Sequence, residues 1–252
     1  MSEVPISFER AIEVFVRGFC FTRSYTHPYL AERLDGASVM RDSPHNCRYS
    51  RVEEYVGHGI GPTAFDDLVR RHARGNFRIC VMLKHGETDS AIREGFRALK
   101  YRLMATEAFM VHTLETIPTV DGPIPIVRVE TQAQADTLHK KTRRRQILPQ
   151  HLTMESPPIR QYMAVDGEEP IGWAQSIVVG SATWCSNVYV APEFRRRGIA
   201  RSLLCRLLSD DRDSGIEANV LLASHTGAKL YPVVGYERIG HLLMFTPPRT
   251  PQ

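Results

Sequence analysis

The segment Asn187-Val-Tyr-Val-Ala-Pro-Glu-Phe-Arg-Arg-Arg-Gly-Ile-Ala-Arg-Ser202 has the residue types needed to hold an anion. An apolar strand runs to Val190, Pro192 stops it, and a basic turn containing Gly198 follows. Gly198 to Leu208 then carries Ile199, Leu203, Leu204, Leu207 and Leu208 at helical spacing. The first N–H groups of such a helix have no internal acceptor, and the macrodipole places partial positive charge there. Gly198 lets the backbone approach a pyrophosphate, and Arg195, Arg196, Arg197 and Arg201 add charge around it.

These residues need a scaffold. Ile124 to Val129 reads as a short strand, Glu130 to about Arg144 as a helix, and Gln161 to Val165 as a strand ending in the hairpin turn Asp166-Gly-Glu-Glu-Pro170. Ile171 to Val179 and Thr183 to Val190 are the next strands. Asn219 to Ala223 is an apolar run that reads as a buried strand. Thr226 to Val234 reads as a short helix capped by Gly235, and Ile239 to Phe245 as the last strand. This alternation implies an α/β (α+β) domain with a mixed, mostly antiparallel central sheet flanked by helices.

The basic segment also resembles a known family. Arg195-Arg-Arg-Gly198-Ile-Ala200 has the (Arg/Gln)-x-x-Gly-x-(Gly/Ala) pattern of the GNAT superfamily of acyl-CoA-dependent N-acyltransferases, and Val188-Tyr-Val-Ala-Pro192 is similar to the strand and proline that lead into it. Ala223-Ser-His-Thr-Gly-Ala-Lys-Leu-Tyr231-Pro-Val-Val-Gly235-Tyr236 resembles the family's later motif, a short helix ending in Tyr and followed by Gly-(Phe/Tyr). The resemblance covers about residues 124–245. It implies acetyl-CoA as co-substrate and an amine of a small molecule or peptide as acceptor. It implies that backbone groups of Val188, Tyr189 and Val190 pair with the pantetheine arm, that N–H groups from Arg196 to Ala200, Ile199 included, hold the pyrophosphate, and that Ser224 bonds the pantetheine or the amide. Tyr231 is then the general acid, and transfer is direct, without a covalent enzyme intermediate.

One departure concerns the base. Many members of the family carry Glu or Asp on the strand leading into the turn, whereas Thr183-Trp-Cys-Ser-Asn-Val-Tyr-Val190 has no carboxylate. A water relayed by Ser186 or Tyr189, or a residue of the N-terminal region, stays open as the base. Cys185 reads as a buried thiol and His225 as a loop or capping residue. Lys140-Lys-Thr-Arg-Arg-Arg145 is either a solvated helix face or a wall of the acceptor site.

The N-terminal region, residues 1–115, precedes a Pro-rich linker at 116–125, and the GNAT-like domain runs over 124–248. Phe8 to Phe21 reads as a helix or a helix plus a strand, Tyr25 to Pro62 as turn-rich, with Gly57-His-Gly-Ile-Gly61 a loop. Thr63 to Ala73 reads as a helix behind a Thr63 cap, Arg78 to Leu83 as a strand, Asp89 to Leu99 as a helix and Tyr101 to Val111 as a strand. The echo between Ile79–Val111 and Asn219–Phe245 suggests a degenerate half-repeat of the same fold. Without an arginine-rich glycine turn, such a half is expected to bind no cofactor.

Composition narrows the classes. The chain has 252 residues, 42% hydrophobic and 24% charged, with net charge +4, which suits an anionic ligand and is too weak to indicate nucleic acid. No apolar run has the length of a membrane span, and residues 1–10 carry no apolar signal core. Cys20, Cys47, Cys80, Cys185 and Cys205 show neither CxxC spacing nor an even count, so a reduced, cytoplasmic protein without a metal is expected. Two other readings stay open: a non-catalytic acyl-CoA sensor, and a basic nucleic-acid-binding protein. Monomer and homodimer stay open as well.

Overall fold

The structure is a computed structural model that describes residues 6–44, 50–119, 122 and 124–248. Cys47 and linker residues Val120, Asp121 and Pro123 lie outside the described residues. Helix α1 (Phe8–Arg23) begins where the Ser7 hydroxyl accepts from the Arg10 N–H, and it buries Phe8, Ala11, Val14, Phe15 and Val16. It is one helix throughout, with Gly18 at the point where a Cβ would come 2.3 Å from Trp184 Cβ. Three strands follow in the stretch read as turns: β1 (Tyr29–Leu34), β2 (Ala37–Asp42) and β3 (Glu53–His58). Asp35-Gly36 closes the first hairpin, with Gly36 at φ +78°. Gly57 and His58 of the expected loop belong to β3. Helix α2 (Pro62–His72) has Pro62 in its first turn and Gly61, not Thr63, as its N-cap. Strand β4 (Phe77–Lys84), helix α3 (Ser90–Ala98) and strand β5 (Arg102–His112) complete this half.

The second half comprises β6 (Ile126–Arg128), α4 (Gln132–Thr142), α5 (Pro149–Leu152), β7 (Ile159–Asp166), β8 (Glu169–Val179), β9 (Ala182–Val190), α6 (Ile199–Asp213), β10 (Ala218–Ala223) and β11 (Glu237–Thr246). Between β10 and β11 the expected α-helix is instead two 3-10 turns, Gly227–Lys229 and Tyr231–Val234. Pro232 lacks an N–H to carry a helical ladder there, and Gly235, in the left-handed region at φ +99°, ends the second turn.

All strands join one sheet of order β1-β2-β3-β4-β11-β5-β10-β9-β8-β7-β6. β3 pairs parallel with β4, and β9 with β10; the other neighbours are antiparallel. The two halves thus repeat a connectivity: a parallel pair bridged by a helix, then a short helical piece, then a final strand. The final strands are exchanged. β5 leaves the first half to pair with β10, and β11 leaves the second to pair with β4. Helix α1 packs on β1 and β2 as well as on β8, β9 and β10, so the sheet curls around it. This concave face also carries α4 and α5; α2, α3 and α6 cover the other.

A buried network fixes the start of the β9–β10 pair. Asp211, fully buried near the end of α6, accepts from Arg160 Nη1 (2.5 Å), Ser176 Oγ (2.7 Å), Thr183 Oγ1 (2.6 Å) and Asn219 Nδ2 (2.9 Å). Asn219 Oδ1 accepts in turn from the Tyr236 hydroxyl at 2.6 Å. The carboxylate therefore ties α6 to β7, β8, β9 and β10. Asp211→Ala leaves Arg160 buried without its partner and is expected to cost about 3–5 kcal/mol, read as a lowered urea midpoint. A loss below about 1 kcal/mol would contradict this role.

No helix among the described residues is long and apolar enough to cross a membrane, and no group of three or more His, Cys, Asp or Glu there could hold a metal ion.

Candidate functional site

The site begins where two strands part. β9 and β10 pair only at Ala182↔Ala218, Thr183↔Asn219 and Trp184↔Val220. Beyond Trp184, β9 keeps β8 on one side to Val190 and has no strand on the other. An irregularity falls there, with Asn187 at φ +54° and the register slipping between Trp173↔Tyr189 and Gln175↔Ser186. The stretch Ser186–Val190 thus offers backbone groups to an extended ligand, as an added strand would use them. Val188 is half-buried, and Tyr189 is exposed with its ring stacked on Trp173 at 4.4 Å. The Val190 carbonyl accepts from Arg195 Nε at 3.0 Å, which folds the basic turn back onto the strand.

The turn has the shape of an anion cradle. Arg196 at φ +61° and Gly198 at φ +78° are left-handed, a backbone that turns successive N–H groups toward one side. Ser202 N–H, bonded to Gly198 O at 3.0 Å, is the first of α6 with an internal acceptor, so the groups before it are free for a ligand. Arg195, Arg196 and Arg197 are exposed and have no carboxylate partner among the described residues, while Arg201 Nε is buried without any partner. Ile199 is buried against the core below, and Ala200 is half-buried.

Across the opening, Tyr231 starts the second 3-10 turn. It is 8% exposed, and its ring meets Tyr236 edge-on at 5.4 Å. Burial, and then the nearby Cys185 thiol, push its phenol above the ordinary value, so it keeps its proton at every working pH. Ser224 is exposed, and its hydroxyl accepts from Gly227 N–H at 3.3 Å, leaving its own proton to donate. Cys185 is buried, and its thiol is pushed up to about 12 by burial, which makes it a poor nucleophile. His225 lies in an exposed turn.

The concave side of the opening is lined by amides. Gln161, Gln175 and Ser186 form one cross-strand row over β7, β8 and β9. Gln146, from the α4–α5 loop, closes over it: its side-chain oxygen accepts from Asn187 Nδ2 (2.6 Å) and Gln175 Nε2 (3.1 Å). Of the run Lys140 to Arg145, Lys141 pairs with Glu169, and Arg143, Arg144 and Arg145 are exposed.

A carboxylate that sequence reasoning could not name stands beside this opening. β10 ends at Ala223, opposite Ala108, so Glu107 is the next residue of β5, level with the opening. Strand alternation puts it on the concave face with Phe109 and Val111. It is half-buried, has no hydrogen bond or ion pair among the described residues, and burial holds its carboxyl above the usual range. No local pattern marks it, because the strand that carries it belongs to the other half of the chain.

The equivalent place in the first half is closed. β3 and β4 stay paired from Glu53↔Phe77 to His58↔Met82. The ring of Phe65 lies so close that a Cβ on Gly57 would come within 2.9 Å of it.

The chain resembles known proteins in sequence and in fold. Residues 158–238 match the family model described as an acetyltransferase (GNAT) domain. A thialysine N-epsilon-acetyltransferase of Caenorhabditis elegans is 35% identical over 91 residues, covering 33% of this chain and 57% of that protein. The chain thus spans little more than half the length of that relative. Among solved structures, a GCN5-related N-acetyltransferase from Kribbella flavida matches 95% of this chain and 96% of its own at a TM-score of 0.62 and 11% identity. A tandem GNAT protein from the clavulanic acid biosynthesis pathway matches 98% and 97% at a TM-score of 0.53, also at 11% identity. At such identities these structures speak to the fold alone.

Proposed function

We propose that this chain, which carries a GNAT acetyltransferase domain in its C-terminal half, is an N-acetyltransferase that moves an acetyl group from acetyl-CoA to an amine in a ternary complex. The observation that carries the reading is the parting of β9 from β10 directly ahead of a left-handed, arginine-rich turn. The residues fit the co-substrate, since the free N–H groups and the unpartnered Arg201 Nε call for an anion.

Acetyl-CoA supplies the acyl group as an activated thioester. N–H groups of Arg196 to Ala200, with Arg195, Arg197 and Arg201, hold the pyrophosphate, and backbone groups of Val188 and Val190 with the Ser224 hydroxyl hold the pantetheine arm. A backbone N–H of the Val188–Val190 stretch stabilises the charge that develops on the carbonyl oxygen. Glu107 takes the proton of the attacking amine through a water, because the order β5-β10-β9 sets β5 two strand spacings, about 10 Å, from β9. As the C–N bond forms and the C–S bond breaks, Tyr231 gives its proton to the leaving sulfur. The relative's name, a thialysine N-epsilon-acetyltransferase, supports a primary amine as acceptor. The closed β3–β4 pair supports one acetyl-CoA per chain. The described cysteines are free and buried, which suits a reducing compartment such as the cytoplasm.

Tyr231→Phe is expected to lower kcat by about 100-fold while acetyl-CoA affinity changes less than about threefold, since the ring stays and only the proton is lost. Unchanged kcat would remove Tyr231 from the mechanism. Acetyl-CoA binding without turnover of any amine would instead favour a non-catalytic acyl-CoA sensor, the reading suggested by a β9 that lacks a carboxylate.

A further inference from the structure

Resting on the acyl-transfer reading, we propose that a cleft between α1, β1 and α5 receives the body of the acceptor amine, and that this body is aromatic or alkyl and carries no second charge. The cleft has a volume of about 460 Å³ and is walled by Phe21, Tyr25, Tyr29, Leu30, Leu148 and His151. That volume lies in the range of small-molecule sites. The first half of the chain supplies α1 and β1, and the second supplies Leu148 and His151, so neither half forms the cleft alone.

Two features place the cleft beside the opening of β9. The first is the course of α1. Arg10 Nη2 donates to Val179 O (2.8 Å) at the foot of the β8–β9 hairpin, and Gly18 packs on Trp184, the last residue of β9 paired with β10. Gly18 lies eight helical residues, about 12 Å, beyond Arg10, and Trp184 lies two strand residues, about 7 Å, beyond the Val179↔Ala182 pair, so helix and strand advance in the same direction. Phe21 to Tyr25 then stand roughly 5–10 Å beyond Trp184, level with Ser186–Val188, which have no β10 partner. The second is the α4–α5 loop. Gln146 holds Asn187 of β9, and Leu148, two residues on and within about 7 Å along the chain, lines the cleft.

The chemistry of the walls selects the occupant. The lining is mainly aromatic and aliphatic, and no carboxylate belongs to it. A second ammonium would therefore lose its water without gaining a counter-charge. Arg17, the lining cation, is paired with Glu13 at 2.9 Å. His151 packs its ring against Phe21 (5.5 Å) and Tyr25 (5.7 Å), and burial lowers its pKa, so it is neutral near pH 7. The Tyr25 hydroxyl is buried and has no partner. Among the described residues, two of the other three buried polar atoms without partners, Gln161 Oε1 and Trp184 Nε1, lie on the same concave face.

The test is a series of acceptors assayed by thiol release at saturating acetyl-CoA with the full chain: ethylamine, 2-phenylethylamine, 1,4-diaminobutane and thialysine. We expect kcat/KM for 2-phenylethylamine to exceed that of ethylamine and of the diamine by at least about tenfold, the usual gain from burying a ring-sized apolar group. Ala31 lines the cleft from the exposed edge strand β1, so Ala31→Trp fills it without disturbing the core. This variant should raise KM for 2-phenylethylamine at least about tenfold and leave ethylamine turnover and acetyl-CoA affinity within about twofold. Preference for thialysine or the diamine, or a 2-phenylethylamine KM unmoved by Ala31→Trp, would overturn the proposal and leave the acyl-transfer reading standing. Failure of the folded chain to bind acetyl-CoA or to acetylate any amine would overturn both.

Discussion

Gly198→Asp is expected to weaken acetyl-CoA binding by at least about 100-fold, a loss of about 2.8 kcal/mol. Gly198 sits at φ +78° with nothing within 4 Å of the place a Cβ would take. Asp is among the residues that tolerate the left-handed region, so the fold should lose no more than about 1–2 kcal/mol. Its charge, however, would stand where N–H groups and arginines converge on the pyrophosphate, replacing attraction by repulsion. Arg197→Glu, whose side chain is exposed and gives up only a bond to Glu193 O and a contact with the Phe194 ring, adds to the effect at little structural cost. Thermal unfolding reads both terms: acetyl-CoA at about 100 times its Kd stabilises the wild type by roughly 2.7 kcal/mol. In the double variant that shift should vanish while the ligand-free midpoint moves little. A shift that survives would place the pyrophosphate elsewhere.

Glu107→Gln should lower kcat/KM by about 100- to 10,000-fold, the usual worth of a positioned base. The pH profile separates this from a packing effect. Burial raises the carboxyl pKa, and the base works only when ionised, so wild-type kcat/KM should rise with pH through that raised value. In the variant this limb should disappear, and Glu107→Asp should restore part of both rate and limb. Stability runs the other way. A carboxyl whose folded pKa is raised contributes stability present below its unfolded pKa and lost as pH rises through the folded one. Near pH 7 the ionised group therefore strains the fold, and the Gln variant should be as stable as the wild type or slightly more so. A variant with full activity, or one that unfolds, would contradict the assignment.

The second half was legible because its signals are local. The Asp166-Gly-Glu-Glu-Pro170 turn, the Gly198 turn and the spacing of Leu203, Leu204, Leu207 and Leu208 each depend on neighbours in sequence, and β8, β9 and α6 lie where these signals place them. The segment after β10 misled. Its composition suits a helix, but Pro232 and the return to β11 leave room only for two 3-10 turns. In the first half, Asp35-Gly36 is a hairpin signal, yet β1 beside it alternates weakly because it is an edge strand with Leu30, Ala31 and Arg33 toward water. The similarity of the halves showed as an echo between β4 and β10. The exchange of β5 and β11 left no trace, because strand order depends on contacts between residues more than 100 positions apart. The placement of Glu107 follows from that exchange, and the proposed acceptor cleft from α1 and β1 meeting the segment around α5. The backbone of Ser186–Val190 and the arginine turn were readable from one segment, whereas the groups proposed to face the acceptor are drawn from both halves of the chain.

The most direct test of the account is a calorimetric titration of the full chain with acetyl-CoA, repeated on Gly198→Asp. One binding event per chain in the wild type, lost in the folded variant, is the expected result. No binding to the folded wild type would contradict the central claim. Two equivalent events would show that the β3–β4 half opens to the co-substrate despite its continuous pairing.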